Sequence, residues 1–443
     1  MWLLPVLSGV SRFAARSFYR LRIAGPEIPP TGPVLLLANH PNSLLDPALV
    51  ASAASRPIRF LAKSTLFTDP RVGWLVRASG AIPVHRRSDD PEAATQNVEM
   101  FAAVHRELAA GAAVGIFPEG ISHSGSSLAR LKTGAARIVL GAQSQAGMLP
   151  LIPVGLVLRN KGVFRSEVLV LRGEAVEWQD LAGRGADDQK AVRELTSRLE
   201  KGLRAVTVNL ERWEDRPLVE CAEAIWSAEL GMEQVEAERV KRSQTAARVL
   251  ADLRRSGVTG WQDLAREVHG HRRRLAVLGL RPADLDIRID LATGAGWTLR
   301  RLPLLGPPLL LLGVAGAVVF WLPYQVTDRT VRAFRPSADQ SSTYKVLVGA
   351  LVYLLWILLL TALAGRFWGP WRAVLVLAAT PALGLTGQWV RERWRGAFSD
   401  ARRFLLQRSR KQIRLQLKED QTRLAGKLEK AYEEWRASAP KET

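Results

Sequence analysis

The sequence predicts an α/β fold: a layered domain with a mostly buried sheet flanked by helices, then a helical segment and C-terminal apolar helices. Three observations carry this. Between residues 33 and 175, six short apolar runs alternate with helical patterns. Residues 185 to 290 turn to Glu, Arg, Ala and Leu, with few internal glycines or prolines. Three long apolar stretches follow between 302 and 390. At 443 residues the chain is too long for one ordinary domain. The expected divisions are 1–30, 31–180, 181–300, 301–390 and 391–443.

The N-terminus, MWLLPVLSGVSRFAARSFYRLRI, has no basic region before its apolar residues, and Pro5 interrupts them, so it does not read as a signal peptide. Arg12, Arg16 and Arg20 recur every four residues, on one helical face. Leu3, Leu4, Leu7, Phe13 and Phe18 supply apolar surface. The expectation is an amphipathic helix at a membrane surface, with a helix packed on the domain as the alternative.

VLLLAN (34–39), IRFLA (58–62), AIPVH (81–85), AVGIF (113–117), LIPVGLVL (151–158) and EVLVLRG (167–173) read as strands. Their near-continuous apolar character suits a sheet covered on both faces. Residues 91–111 carry a helical pattern that Gly111 stops. Residues 187–210 and 232–257 read as solvated or bundle helices.

The apolar stretches cover 302–324, 346–365 and 374–390. Gly306, Pro307 and Pro308 break the first, and Pro381 lies in the third. Arg300 and Arg301 precede them, Arg329, Arg332, Arg335 and Lys345 separate the first two, and Arg391, Arg393, Arg395, Arg402 and Arg403 follow. All three basic regions favour the cytoplasmic side. The pattern predicts a re-entrant first stretch broken near 306–308, a spanning hairpin turning around Arg366–Arg372, and a charged tail helix (400–436) on anionic headgroups. Trp321, Trp356, Trp368 and Trp371 suit interfacial anchoring.

With 62 Lys+Arg against 42 Asp+Glu, the formal charge is +20, which suits an anionic partner. The apolar stretches, and the absence of a nucleic-acid motif with interleaved aromatics, favour an anionic phospholipid membrane over nucleic acid. A single cysteine, Cys221, excludes an internal disulfide framework or thiolate metal cluster.

Four stretches carry candidate chemistry: NHPNSLLDP (39–47), GAIPVHRR (80–87), GIFPEGISHSGSSLARLKTGAARI (115–138) and LIPVG (151–155). Each adjoins a predicted strand, and the carboxyl ends of strands in an α/β sheet gather in one crevice. A hydroxyl is a poor nucleophile at neutral pH. An imidazole can take its proton as attack begins, and a carboxylate on the other ring nitrogen fixes the tautomer. His40 and Asp46 are the right types. The bland reading is a helix start, with Asp46 at the N-cap and Pro47 at the first helical position.

The four blocks in this order resemble the glycerophospholipid acyltransferases, over roughly residues 30 to 175. The resemblance implies transfer of a fatty acyl group from acyl-CoA or an acyl carrier protein to the hydroxyl of a lysophosphatidate. The alternative acceptors are glycerol-3-phosphate and dihydroxyacetone phosphate. It implies His40 as base, Asp46 as its partner, and Arg86, Phe117, Pro118, Glu119, Gly120, Arg130 and Lys132 on the substrate. It implies neither metal nor cofactor, and no acyl-enzyme. His85 and His123 read as auxiliary, and Pro153 as structural. Two departures stand out. Five residues, not four, separate His40 from Asp46. Ile121, Ser122 and His123 replace a Thr-Arg-Ser, so Arg130 or Lys132 is expected to supply the missing cation. Against a serine hydrolase, no Gly-x-Ser-x-Gly elbow is present. A non-catalytic membrane scaffold is the remaining rival.

Overall fold

The computed structural model of the chain describes residues 3–70, 72–85, 93–232, 235–257, 260–286, 306–409 and 411–438. It divides into two compact units. The first comprises 1–213, 235–244 and 337–343, and the second 214–234, 245–336 and 344–443.

Unit one is built on a seven-stranded sheet. Its strands are β1 (Arg20–Ala24), β2 (Val34–Ala38), β3 (Ile58–Lys63), β4 (Ile82–Val84), β5 (Ala113–Ile116), β6 (Leu151–Leu158) and β7 (Glu167–Arg172). The order is β1-β7-β6-β2-β5-β3-β4. Neighbours run parallel except β6 and β7. All five residues of β2 are buried, because the strand lies centrally and is covered on both faces. Its side chains alternate between two helical layers. Leu35 and Leu37 join a core with Val104 and Leu108 of α5 (Ala93–Ala109), Ile138 and Val139 of α6 (Gly134–Ala146), and Leu195 and Leu199 of α7 (Gln189–Val206). The short helices α3 (Thr65–Thr68) and α4 (Gly73–Ala78) link β3 to β4, and α1 (Leu3–Phe18) packs on α2 (Leu45–Ser52).

All six expected strands are present, but a seventh was missed. Residues 20–24 are edge strand β1, not the end of an amphipathic helix. Arg20 donates its backbone N–H to Ser166 O, and the edge position leaves the Arg20 and Arg22 side chains exposed, so their charge is tolerated. Helix α1 packs on the domain by one face and leaves another exposed. Ala15 and Phe18 are buried, whereas Val6, Val10 and Phe13 form an exposed apolar stripe.

Of the two expectations for α7, solvated or bundled, the structure shows a packed helix. Asp188 caps it by accepting from the N–H groups of Lys190 and Ala191, and its Leu195, Leu199 and Leu203 cover the sheet. Its carboxyl end crosses β6 at Gly155, where any β-carbon would lie 1.8 Å from Val206 O.

Unit two contains α8 (Arg216–Glu229), most of α9 (Glu236–Arg255), α10 (Trp261–Leu278), α11 (Pro307–Val319), α12 (Trp321–Phe334), most of α13 (Ser341–Trp368), α14 (Pro370–Ser409) and α15 (Lys411–Ser438). The charged tail is helical and packs one face inward. Leu424 and Ala425 of α15 join Leu218, Cys221, Ile225 and Val268 in a core, because a 3–4 spaced apolar stripe runs through its charges. α13 and residues 370–402 are long and apolar enough to cross a membrane. α11 and α12 are bent by 43°. The break falls at Phe320, not at 306–308, and Pro323 explains it. Lacking an N–H, Pro323 leaves Val319 O free, and Trp356 Nε1 donates to it at 3.0 Å. α11 meets α14 at Gly316 and Gly387, where a β-carbon on Gly316 would lie 3.1 Å from the Gly387 Cα.

Candidate active site

The stretch between β2 and α2 is a tight loop that brings His40 onto Asp46, with His40 Nδ1 and Asp46 Oδ2 2.8 Å apart. The Asn42 backbone N–H donates to the same oxygen at 2.7 Å. Asp46 is fully buried. Burial pushes its carboxyl above the usual carboxylate range, opposed by the His40 and Asn42 hydrogen bonds and by the charge of Lys161. Asp46 Oδ1 has no partner among the described residues. Asp46 sits in the first turn of α2 but makes no side-chain cap, so its acceptor capacity goes to His40 and Asn42. With Nδ1 committed to Asp46, Nε2 is the ring's remaining nitrogen.

The loop turns sharply at Ser43. Ser43 adopts a left-handed φ of 53°, and its N–H donates to Ser122 Oγ at 3.0 Å. Asn39 anchors the loop's start: its side chain accepts from Leu156 N–H (2.7 Å) and donates to Leu156 O (3.1 Å).

The Phe-Pro-Glu-Gly turn after β5 forms the opposite wall. Phe117 stacks on His40 with ring centres 4.1 Å apart, and Phe60 stacks behind it at 5.8 Å. Glu119 is buried, and its carboxylate accepts three N–H groups: His40 N (2.8 Å), Ala129 N (2.8 Å) and His123 Nε2 (2.5 Å). Gly125 N–H donates to His123 Nδ1, which places the ring proton on Nε2, toward Glu119. His123 N–H in turn donates to His40 O at 3.1 Å. Glu119 therefore ties two loops together, with His123 as auxiliary. Pro118 O accepts Lys132 N–H, and Gly120 has φ +70°, with the Lys132 side chain lying over it, so a β-carbon there would meet that chain at 2.9 Å.

Of the expected residues, His40, Asp46, Phe117, Pro118, Glu119 and Gly120 come together. Lys132 reaches the same turn, and Arg130 is exposed. Arg86 lies outside the described residues. Sequence reading missed Asn42, Tyr19, Lys161 and Ser342. Lys161 Nζ lies 3.4 Å from His123 O and 3.3 Å from Ser124 Oγ. Only Asn42 carried a signal, as a polar residue between His40 and Asp46.

The fold and the buried pair define an α/β domain with a histidine held against a buried carboxylate. Residues 20–157 match the family described as Acyltransferase. The chain is 23% identical over 314 residues to glycerol-3-phosphate O-acyltransferase 1 of Saccharomyces cerevisiae, covering 63% of this chain and 39% of that protein. It is 29% identical over 140 residues to a chloroplastic 1-acyl-sn-glycerol-3-phosphate acyltransferase of Arabidopsis thaliana, covering 31% of this chain and 37% of that protein. Both relatives extend well beyond the matched region. A solved structure, the 1-acyl-sn-glycerophosphate acyltransferase of Thermotoga maritima, aligns with TM-score 0.33 and 21% identity over 44% of this chain and 77% of its own. Residues 20–157 thus carry the acyltransferase family's pattern, and both of these relatives are acyltransferases of glycerol phosphate or its acyl ester.

Proposed function

We propose that the protein transfers a fatty acyl group from acyl-CoA or an acyl carrier protein to the hydroxyl of a lysophosphatidate at an anionic membrane. The observation that carries this reading is the 2.8 Å pairing of His40 with buried Asp46, stacked on Phe117. His40 Nε2 takes the proton of the acceptor hydroxyl as its oxygen attacks the thioester carbonyl. The carbonyl becomes a tetrahedral oxyanion, which collapses to ester and expels the thiolate; the imidazolium returns its proton to that thiolate. Asp46 holds the ring's tautomer and stabilises the imidazolium. The attack is direct, so no acyl-enzyme forms, and the step uses neither metal nor cofactor. Lys132, Lys161 and Arg130 supply cationic charge for the acceptor phosphate, with Arg86 assigned to it by the resemblance.

The exposed apolar stripe of α1 and the apolar helices hold the domain on lipid, and the basic segments flanking the apolar stretches favour a cytoplasmic catalytic side. Glycerol-3-phosphate is the second reading, favoured by the match to the yeast glycerol-3-phosphate O-acyltransferase running over 63% of the chain. Labelled acyl-CoA offered with each acceptor in phosphatidylglycerol-containing vesicles tests both. Product from lysophosphatidate is expected. Product from glycerol-3-phosphate alone would move the assignment to the second reading. Product from neither, with acyl-CoA or acyl carrier protein as donor, would end both.

A further inference from the structure

Asn42 stands at the centre of a buried polar chain, three members of which, Tyr19, Lys161 and Ser342, lie outside residues 20–157. Ser342 Oγ donates to Asn42 Oδ1 at 2.5 Å. Asn42 Nδ2 donates to Tyr19 Oη at 2.8 Å, and Tyr19 Oη donates to Lys161 O at 2.5 Å. Tyr19, Asn42, Asp46 and Ser342 are all 0% exposed. The direction of the chain is fixed by chemistry. Lys161 O can only accept, so the Tyr19 hydroxyl donates to it and accepts from Asn42. That turns the amide nitrogen toward Tyr19 and the amide oxygen toward Ser342. Burial pushes the Tyr19 phenol up to about 12, which keeps it a donor.

The backbone N–H of Asn42 donates to the Asp46 oxygen that also holds His40. Ser342 lies in the first turn of α13, and residues 337–343 belong to the same compact unit as His40 and Asp46. A serine at a helix start commonly serves its own helix's N–H groups; this one donates instead to a side chain 300 positions away.

Building on the acyl-transfer reading, we propose that Ser342 is a positioning residue: through Asn42 it fixes the carboxylate oxygen that orients His40. Because α13 is long enough to cross a membrane, the geometry of the catalytic pair is tied to the seating of that helix's first turn.

The test uses the full chain in phosphatidylglycerol-containing vesicles. Ser342→Ala is expected to lower kcat about tenfold to a hundredfold, as a slight misplacement of a catalytic group does, with KM for acyl-CoA within about twofold. Ser342→Thr keeps the hydroxyl and is expected to recover most of the rate. Tyr19→Phe removes the acceptor for Asn42 and is expected to lower kcat likewise. Combining it with Ser342→Ala is expected to cost less than the product of the single losses, because both break one chain. Ser337→Ala, at an exposed position shortly before the helix, is the control and is expected to behave as wild type. The proposal is overturned if Ser342→Ala leaves kcat within twofold, if the two losses multiply independently, or if Ser342→Thr is as impaired as alanine. Should wild type transfer no acyl group, the acyl-transfer reading fails separately. The chain is then judged by the rate at which diethylpyrocarbonate modifies His40, read by mass spectrometry. At least a twofold difference between wild type and Ser342→Ala supports it, and equal rates overturn it.

Discussion

His40→Ala is expected to lower acyl transfer by about a hundredfold or more, the usual span of a positioned general base. A buried carboxylate holds the imidazole's Nδ1 at 2.8 Å, while the ring is fixed flat against Phe117. Its side chain is 19% exposed, so alanine opens a space that water reaches and leaves the core untouched. Folding should therefore persist. Steady-state rates in vesicles, beside thermal midpoints of the same preparations, check the prediction. The loss is expected in kcat, with the midpoint near wild type. An unfolded variant would say nothing of the base, and Asp46→Asn then takes its place. The asparagine oxygen can still accept from His40 and Asn42, but the charge that stabilises the imidazolium is gone.

The second large effect is expected at Glu119. Its carboxylate accepts from the backbone N–H groups of His40 and Ala129 and from His123 Nε2. Glutamine offers one acceptor oxygen where two are used, and turns an NH2 group toward at least one N–H donor. Leaving a buried donor unpaired costs about 1–3 kcal/mol, and the donor–donor contact pushes the loops apart. About 3 kcal/mol spent on holding the His40 backbone corresponds to about a hundredfold in rate. Glu119→Gln should therefore lose most transfer activity and raise protease sensitivity around residues 117–130. Full activity with unchanged proteolysis would show that Glu119 does not tie these loops.

The buried strands were legible because a central strand covered on both faces must be apolar throughout, as in VLLLA at β2. β1 was not. At the sheet's edge it keeps Arg20 and Arg22, and Arg20 falls in a four-residue period with Arg12 and Arg16 that reads as a helix. The break at Phe320 was placed too early because Pro307 and Pro308 stand where a helix accepts proline, at its start. The helix is bent by Pro323, whose effect falls on the carbonyl four residues back. At the site, His40, Asp46 and the Phe-Pro-Glu-Gly turn were legible because their chemistry is local to two loops. Glu119 was legible as a site residue but not as the clasp of those loops, since one of its three donors, the His40 N–H, lies 79 positions away. Lys161 and Ser342 were invisible: a lone lysine and a serine opening an apolar helix carry no motif, and only the fold brings them near Asp46.

One quenched reaction reads the chemistry directly. Wild type in anionic vesicles is mixed with labelled acyl-CoA and lysophosphatidate, stopped within a turnover, and divided between lipid extraction and intact-protein mass spectrometry. Direct transfer assisted by His40 predicts label in phosphatidate and a chain of unchanged mass. A chain carrying the acyl group, or label that never reaches the lipid, would contradict it.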